Sequence, residues 1–316
     1  MDDRYNLKQF WHPKFWGVWS MLSTLYLVAK LPYRLQMGLG AGLGWLMYRV
    51  MPIRKHFAEV NIGLCFPELS EVKQAKLVRD HFDSFGKATI ETAMAWWSSD
   101  RQLAKLVSIK GLEHLKSAQA SGQGVLMLSA HFTTLELGGR LLALTQPFQV
   151  SYKAHKKKPL FNEVMLRARE RRFQKAISSK QPRDMIKSLK GGNILWYAPD
   201  QDYGRKQSVF APFFGVPAIT LTSTARIVKM TNALVVPFYV QRLPNGQGYQ
   251  LIIEPALSAF PAGDDLVDAA AINALIERWV RLVPEQYLWV HRRFKTRPVG
   301  EAKFYRPKKK KKQKLI

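Results

Sequence analysis

The chain has 316 residues, room for one large domain or two smaller ones, and 47% of it is hydrophobic, enough for a sizeable core. It carries 49 Lys and Arg against 23 Asp and Glu, a formal net charge of +26. Six of the lysines crowd into residues 308–314, so most of the excess belongs to the body and calls for an anionic partner: nucleic acid, an anionic membrane, or a phosphorylated or carrier-borne substrate. The single cysteine, Cys65, excludes a disulfide within the chain and a cysteine-based zinc site, and fits a reducing cytosolic face.

In chain order, residues 15–29 (FWGVWSMLSTLYLVA) carry no charge. They are somewhat short of the ~20 residues that span a bilayer. Passing Lys30, which can snorkel, extends the run to Tyr33. No A-x-A site follows, so residues 1–33 are read as an uncleaved membrane-associated segment, either inserted or lying in the interface, with a buried core helix as the alternative. Glycines at 38, 40, 42 and 44 lack dinucleotide-fingerprint spacing and follow no strand, so they predict close helix packing. Pro67-Glu68-Leu69-Ser70 predicts a loop, with Ser70 capping a helix that runs to Trp96-Trp97. Strands at 107–110, 125–130, 149–152, 193–198, 233–241 and 248–254 then alternate with helices at 112–121, 133–145, 160–175, 183–190, 220–232 and 265–282. That alternation predicts an α/β fold, a sheet with helices on its faces. The tail at 308–316 is low-complexity lysine and is read as a disordered arm.

The apolar run Val125–Leu128 ends in Ser129-Ala130-His131, and Glu136 follows. Histidine is suited to taking a proton near neutral pH, and a carboxylate can hold its ring and stabilise the cation. On one continuous helix the two would lie ~140° apart. They can meet if His131 sits in the strand-to-helix turn and Glu136 in the first helical turns, capped by Thr133 or Thr134. The alternative is a surface turn with an ordinary acid. No G-x-S-x-G is present, so a serine hydrolase elbow is disfavoured.

A second candidate, Pro199-Asp200-Gln201-Asp202-Tyr203-Gly204, also leaves a strand, where open α/β folds place ligands. Asp200 could hold a basic side chain or a substrate hydroxyl, or simply make a turn; a D-x-D metal site lacks an obvious third ligand. Between these candidates, residues 153–190 hold 13 Lys and Arg against three acids. The Arg167–Arg172 run is either a phosphate-binding face or a solvated helix. Arg292-Arg293-Phe294-Lys295-Thr296-Arg297 forms a further basic cluster.

The segments LCFPELS (64–70), ETAMAWW (91–97), HFTTLELGGR (131–140), WYAPDQDYG (196–204) and PEQYLWVHRRFKTRP (284–298) resemble the lipid A biosynthesis acyltransferases, and within them the Kdo-dependent lauroyl branch. The resemblance covers most of the chain after about residue 10. It implies a mixed sheet flanked by helices with a glycerol-phosphate-acyltransferase-like core at 34–307, and a membrane-associated helix before it. It implies transfer of a fatty acyl chain from acyl carrier protein to Kdo2-lipid IVA at the inner membrane, without metal or cofactor. His131 and Glu136 fall on the family's catalytic H-x4-D/E motif. Asp200 falls in its PDxDYG segment, and Arg169 on a functional arginine, with Arg167, Arg171 and Arg172 as rivals. Arg172, Arg292 and Arg293 are further expected to meet anionic substrate or carrier. Other acceptors, glycerol phosphate or a lysophospholipid, use the same chemistry. A nucleic-acid partner has only the basic and aromatic residues at 284–306 in its favour, and no RNA or DNA motif accompanies them.

Overall fold

The computed structural model describes residues 5–155 and 157–305. The lysine tail at 308–316 lies outside them. Helices lead the chain: α1 (Trp16–Val28), α2 (Tyr33–Val50), α3 (Pro52–Cys65) and α4 (Glu71–Trp97). Ser70 caps α4, accepting from the Lys73 amide at 3.4 Å, and the helix runs about 40 Å to the expected tryptophan pair. A short helix, α5 (Asp100–Ala104), turns the chain toward the sheet.

The glycine run in α2 is a helix contact, as its spacing predicts. A Cβ on Gly86 of α4 would stand 2.2 Å from the Gly44 nitrogen and 2.3 Å from the Gly40 carbonyl oxygen, so only glycine permits this approach. Gly38 and Gly42 have nothing within 4 Å and face outward.

Residues 5–33 do not stand apart from the body. Phe10 and Leu22 are buried in one apolar cluster with Met94, Trp96 and Leu160. Lys30 Nζ donates to the Trp97 carbonyl (2.8 Å) and Ser98 Oγ to the Ala29 carbonyl (3.2 Å). Among the described residues no helix is long and apolar enough to cross a membrane. The outer sides of α1 and α2 nonetheless expose large apolar residues: Trp16, Leu27, Leu35, Trp45 and Val50, with Ile53 at the start of α3.

Beyond α5 lies a mixed seven-stranded sheet in the order β1 (Val107–Lys110), β9 (Tyr249–Ile253), β8 (Leu234–Arg242), β2 (Val125–Leu128), β5 (Ile194–Tyr197), β3 (Gln149–Tyr152), β4 (Lys175–Ser178). Neighbours are parallel except β8 and β9. Strand β2 is apolar throughout because both its faces are covered. Val125 and Met127 belong to one core, Leu126 and Leu128 to the other. The flanking helices are α6 (Leu112–Ala120), α7 (Leu135–Leu142), α8 (Pro159–Glu170), α9 (Pro182–Lys190), α10 (Ser223–Thr231) and α11 (Asp265–Leu282).

Two expectations change. The helix expected over 160–175 stops at Glu170, and Lys175–Ser178 is edge strand β4, with Ile177 its one fully buried residue. The start of the helix expected over 220–232 is strand. Ser208–Phe213 (β6) and Val216–Leu221 (β7) form a separate hairpin. Its turn places Phe214 (φ 52°) and Gly215 (φ 72°) in the left-handed region that tight hairpins require, and a bulky Phe at the first position disguises it.

Candidate active site

The site is a product of strand register. β2 and β5 are parallel neighbours with Leu128 opposite Tyr197. The Ser129 amide extends the ladder to the Tyr197 carbonyl (2.8 Å). His131 and Asp200 each lie three residues past their strand's last position, so the two exits deliver them together at the carboxyl edge. His131 Nδ1 is 2.5 Å from Asp200 Oδ1, and the His131 amide donates to Oδ2 (2.9 Å). The Tyr287 hydroxyl also donates to Oδ2 (3.0 Å). Burial alone would raise the Asp200 pKa. The His131 ring and the hydrogen bonds more than offset it and hold the carboxyl at about 2. A carboxylate at Nδ1 places the proton on that nitrogen and leaves the lone pair on Nε2. No described residue bonds Nε2, and the ring borders a small cavity shared with Asn61, Tyr287 and His291. Burial, the first cause, lowers the His291 pKa to about 4.

Glu136 does not hold His131, contrary to the expectation from their spacing. It accepts from Trp96 Nε1 (2.9 Å), Arg169 Nε (3.0 Å) and Arg169 Nη2 (2.5 Å). Its place on the first turn of α7 aims it at α4 and α8, while the imidazole is met from the β5 side. Burial opposes the Glu136 charge, but Arg169 more than compensates and lowers its pKa. The side-on pair leaves Arg169 Nη1 without a hydrogen bond among the described residues. Nor do the threonines cap α7. Thr133 Oγ1 pairs with Ser84 Oγ (2.7 Å), and Thr134 Oγ1 donates to the Val240 carbonyl (3.1 Å).

The crowded arginines separate cleanly. Arg167 binds Glu163 and the Tyr5 carbonyl, Arg169 binds Glu136, and Arg172 binds Asp100. The expectation that both Arg292 and Arg293 face substrate is corrected. Arg292 is exposed, its guanidinium 5.5 Å from the Phe57 ring centre. Arg293 is buried, donating to the Ile219 carbonyl (2.6 Å), Thr220 Oγ1 (3.0 Å) and Asn273 Oδ1 (3.2 Å). It borders the His131 cavity but its terminal nitrogens clamp β7 to α11. Asp202 points away from Asp200, accepting from the Thr296 amide (2.6 Å) and hydroxyl (2.9 Å). The sequence marks neither Tyr287 nor Trp96 as a site residue, although both sit inside the quoted motif segments. Only the fold brings them to the carboxylates.

An apolar groove of about 390 Å³ lies between α1, α4 and α8, lined by Leu22, Tyr26, Trp96, Trp97 and Val164, with Arg171 among its polar residues. Trp96 is thus shared: its ring walls the groove and its Nε1 holds Glu136.

An imidazole anchored at Nδ1 and an apolar groove walled by the same α4 tryptophan that holds Glu136 suit an acyltransferase. The comparisons agree. The model of the bacterial lipid A biosynthesis acyltransferase family matches residues 5–296. A lipid A biosynthesis lauroyltransferase of Escherichia coli (strain K12) is 41% identical over 295 residues, 93% of this chain and 96% of that protein. A lipid A biosynthesis palmitoleoyltransferase of the same organism is 38% identical, over 94% and 97%. This chain belongs to the bacterial lipid A biosynthesis acyltransferase family. A solved 1-acyl-sn-glycerophosphate acyltransferase from Thermotoga maritima aligns with a TM-score of 0.37 at 12% identity, covering 74% of this chain and 96% of that one. At that level it bears on neither substrate nor mechanism.

Proposed function

We propose that this acyltransferase moves a fatty acyl chain, laurate in the first instance, from acyl carrier protein to the 3-hydroxyl of a hydroxyacyl chain on Kdo2-lipid IVA. The observation that carries the reading is the His131–Asp200 pair with Nε2 unbonded. Nε2 takes the proton of the acceptor hydroxyl, and Asp200 stabilises the imidazolium. The acceptor oxygen bonds to the thioester carbonyl carbon. The C–S bond then breaks, and the leaving thiolate takes the proton back from the ring. Written this way the transfer needs neither metal nor cofactor. Arg169, fixed by Glu136, offers Nη1 to developing negative charge or to an anionic group of the substrate. The groove beside Trp96 supports an apolar acyl chain as the transferred group. Laurate rests on the more similar of two relatives that differ little, at 41% and 38% identity.

The exposed apolar sides of α1 and α2, joined to a charge of +26, support attachment to the surface of the inner membrane, with the site facing the cytoplasm. The test is mass spectrometry of lipid products after incubating the full chain with Kdo2-lipid IVA and carrier thioesters of graded length. A single acyl addition, greatest for the lauroyl donor, is expected. Acylation of glycerol phosphate or a lysophospholipid in preference to Kdo2-lipid IVA would overturn the acceptor. A peak at another chain length would overturn laurate alone.

A further inference from the structure

One basic cluster beside the site has no part in the chemistry above. Arg140 lies one helical turn beyond Glu136 on α7 and is 3% exposed. Its Nη2 and Arg172 Nη1, the latter at 2.9 Å, converge on the same oxygen of Asp100, whose side chain is 66% exposed. Arg140 Nε is buried with no hydrogen-bond partner among the described residues. Burial, and then the charge of Arg172, lower the Arg140 pKa, and Asp100 restores only part of the loss. Arg140, Arg169 and Arg172 also border one crevice with Trp96 and Glu136. Three guanidinium groups there meet two carboxylates, one of them a short side chain at the rim.

Asp100 is not needed to start its own helix. Ser99 caps α5 through a reciprocal box with Gln102, so the Asp100 carboxylate can swing away without unwinding the turn. A buried arginine demands a counter-ion, and a carboxylate touching two guanidinia through a single oxygen is a weak one. A phosphate monoester offers three oxygens and more charge to two planar forks, and a phosphodiester offers two non-bridging oxygens, one for each fork. We propose that Arg140 and Arg172 form a phosphate-binding subsite in which the Asp100 carboxylate stands in for the ligand. The inference rests on the function proposed above, since both substrates carry the chemistry: the glycolipid acceptor has phosphates on its sugars, and the carrier's prosthetic arm is joined through a phosphodiester.

The experiment first measures binding of inorganic phosphate to the full chain by calorimetry, without turnover. Asp100→Asn should bind phosphate roughly tenfold more tightly than wild type, because a competing charge-assisted contact is gone. Adding Arg140→Gln should abolish that gain. If the double variant does not fold, Arg172→Gln, at a more exposed position, replaces Arg140→Gln. Phosphate binding that is unchanged or weaker in Asp100→Asn, or a gain that survives loss of the arginine, makes Asp100 a plain counter-ion and overturns the subsite. Steady-state kinetics of Asp100→Asn then identify the source. A lower KM for the glycolipid assigns the subsite to the acceptor, and a lower KM for the carrier thioester assigns it to the donor arm. Neither KM moving overturns its role in substrate binding. Absence of turnover by wild type with these substrates would sink the proposed function but leave the phosphate measurement standing.

Discussion

Asp200→Asn preserves the shape beside His131, but an amide cannot stabilise the imidazolium and can turn its N–H toward Nδ1. We expect kcat to fall ~10²–10⁴-fold, with acceptor KM little changed. In the proposed mechanism His131 and Asp200 act as one unit, so the double variant His131→Ala/Asp200→Asn should be no slower than His131→Ala alone, whereas Glu136→Gln should slow it further. Steady-state rates of the five proteins decide this; additive losses for His131 and Asp200 would break the pair. His81 offers a second check at this scale. It is fully buried in α4 with Nδ1 3.2 Å from the Glu285 carbonyl, and burial pushes its pKa down to about 4. The unfolded chain protonates near 6.5 while the fold refuses the proton until about 4. This contribution to stability is therefore whole above pH 6.5 and is lost as pH falls toward 4, at up to about 1.4 kcal/mol per pH unit. Denaturant titrations from pH 7 to pH 5 should show a shallower slope for His81→Asn, whatever its absolute stability; an equal slope would remove His81 from the acid response. At this scale the sequence marks His131, Glu136 and Asp200 as candidates but not which carboxylate meets the imidazole. Spacing along the chain cannot report that Asp200, 69 residues away, arrives on a neighbouring strand.

Helix α4 is the element on which the N-terminal half is assembled, and its contact with α2 depends on absent side chains. Gly86→Ala would drive a methyl into the backbone of Gly40 and Gly44, at an expected cost of about 1–3 kcal/mol or more. Gly42→Ala meets open space and should be neutral, or stabilising by up to about 1 kcal/mol through helix propensity. Urea unfolding of both separates packing from propensity, and equal effects would show that the close approach is unimportant. Elements with long periodic patterns were legible: the ends of α4 and α11 fall where capping and periodicity place them. The misses were short. β4 offers one fully buried residue in four, so a helix continuing from α8 reads equally well. The β6–β7 turn hides its geometry behind Phe214.

For the whole molecule, the burial of Phe10, Leu22 and Ala29 changes what truncation does. Removing residues 1–33 strips one wall from the groove and uncovers Trp96, so Tm and activity should both fall. Retention of wild-type Tm by the truncated chain would make the segment a detachable anchor. Attachment is better tested on the outer face, where Trp45 is exposed beneath the Arg49 guanidinium, 3.7 Å from its ring centre. Trp45→Glu with Ile53→Glu should weaken sedimentation with anionic vesicles while leaving Tm unchanged; undiminished sedimentation would rule out this face. The register of β2 and β5 has a different consequence, one that concerns counting. His131 and Asp200 meet because both exits have the same number of residues. Side chains at 129, 130, 198 and 199 are buried and must fit their space, yet replacing one leaves that count intact, whereas a single inserted or deleted residue in either exit puts imidazole and carboxylate out of step. At the opposite ends of the same strands, near Gly122 and Gly192, lengthening a loop leaves the meeting undisturbed. The meeting of His131 and Asp200 is therefore sensitive to chain length at the carboxyl edge of the sheet, where the residues of each exit are counted, and indifferent to it at the far edge.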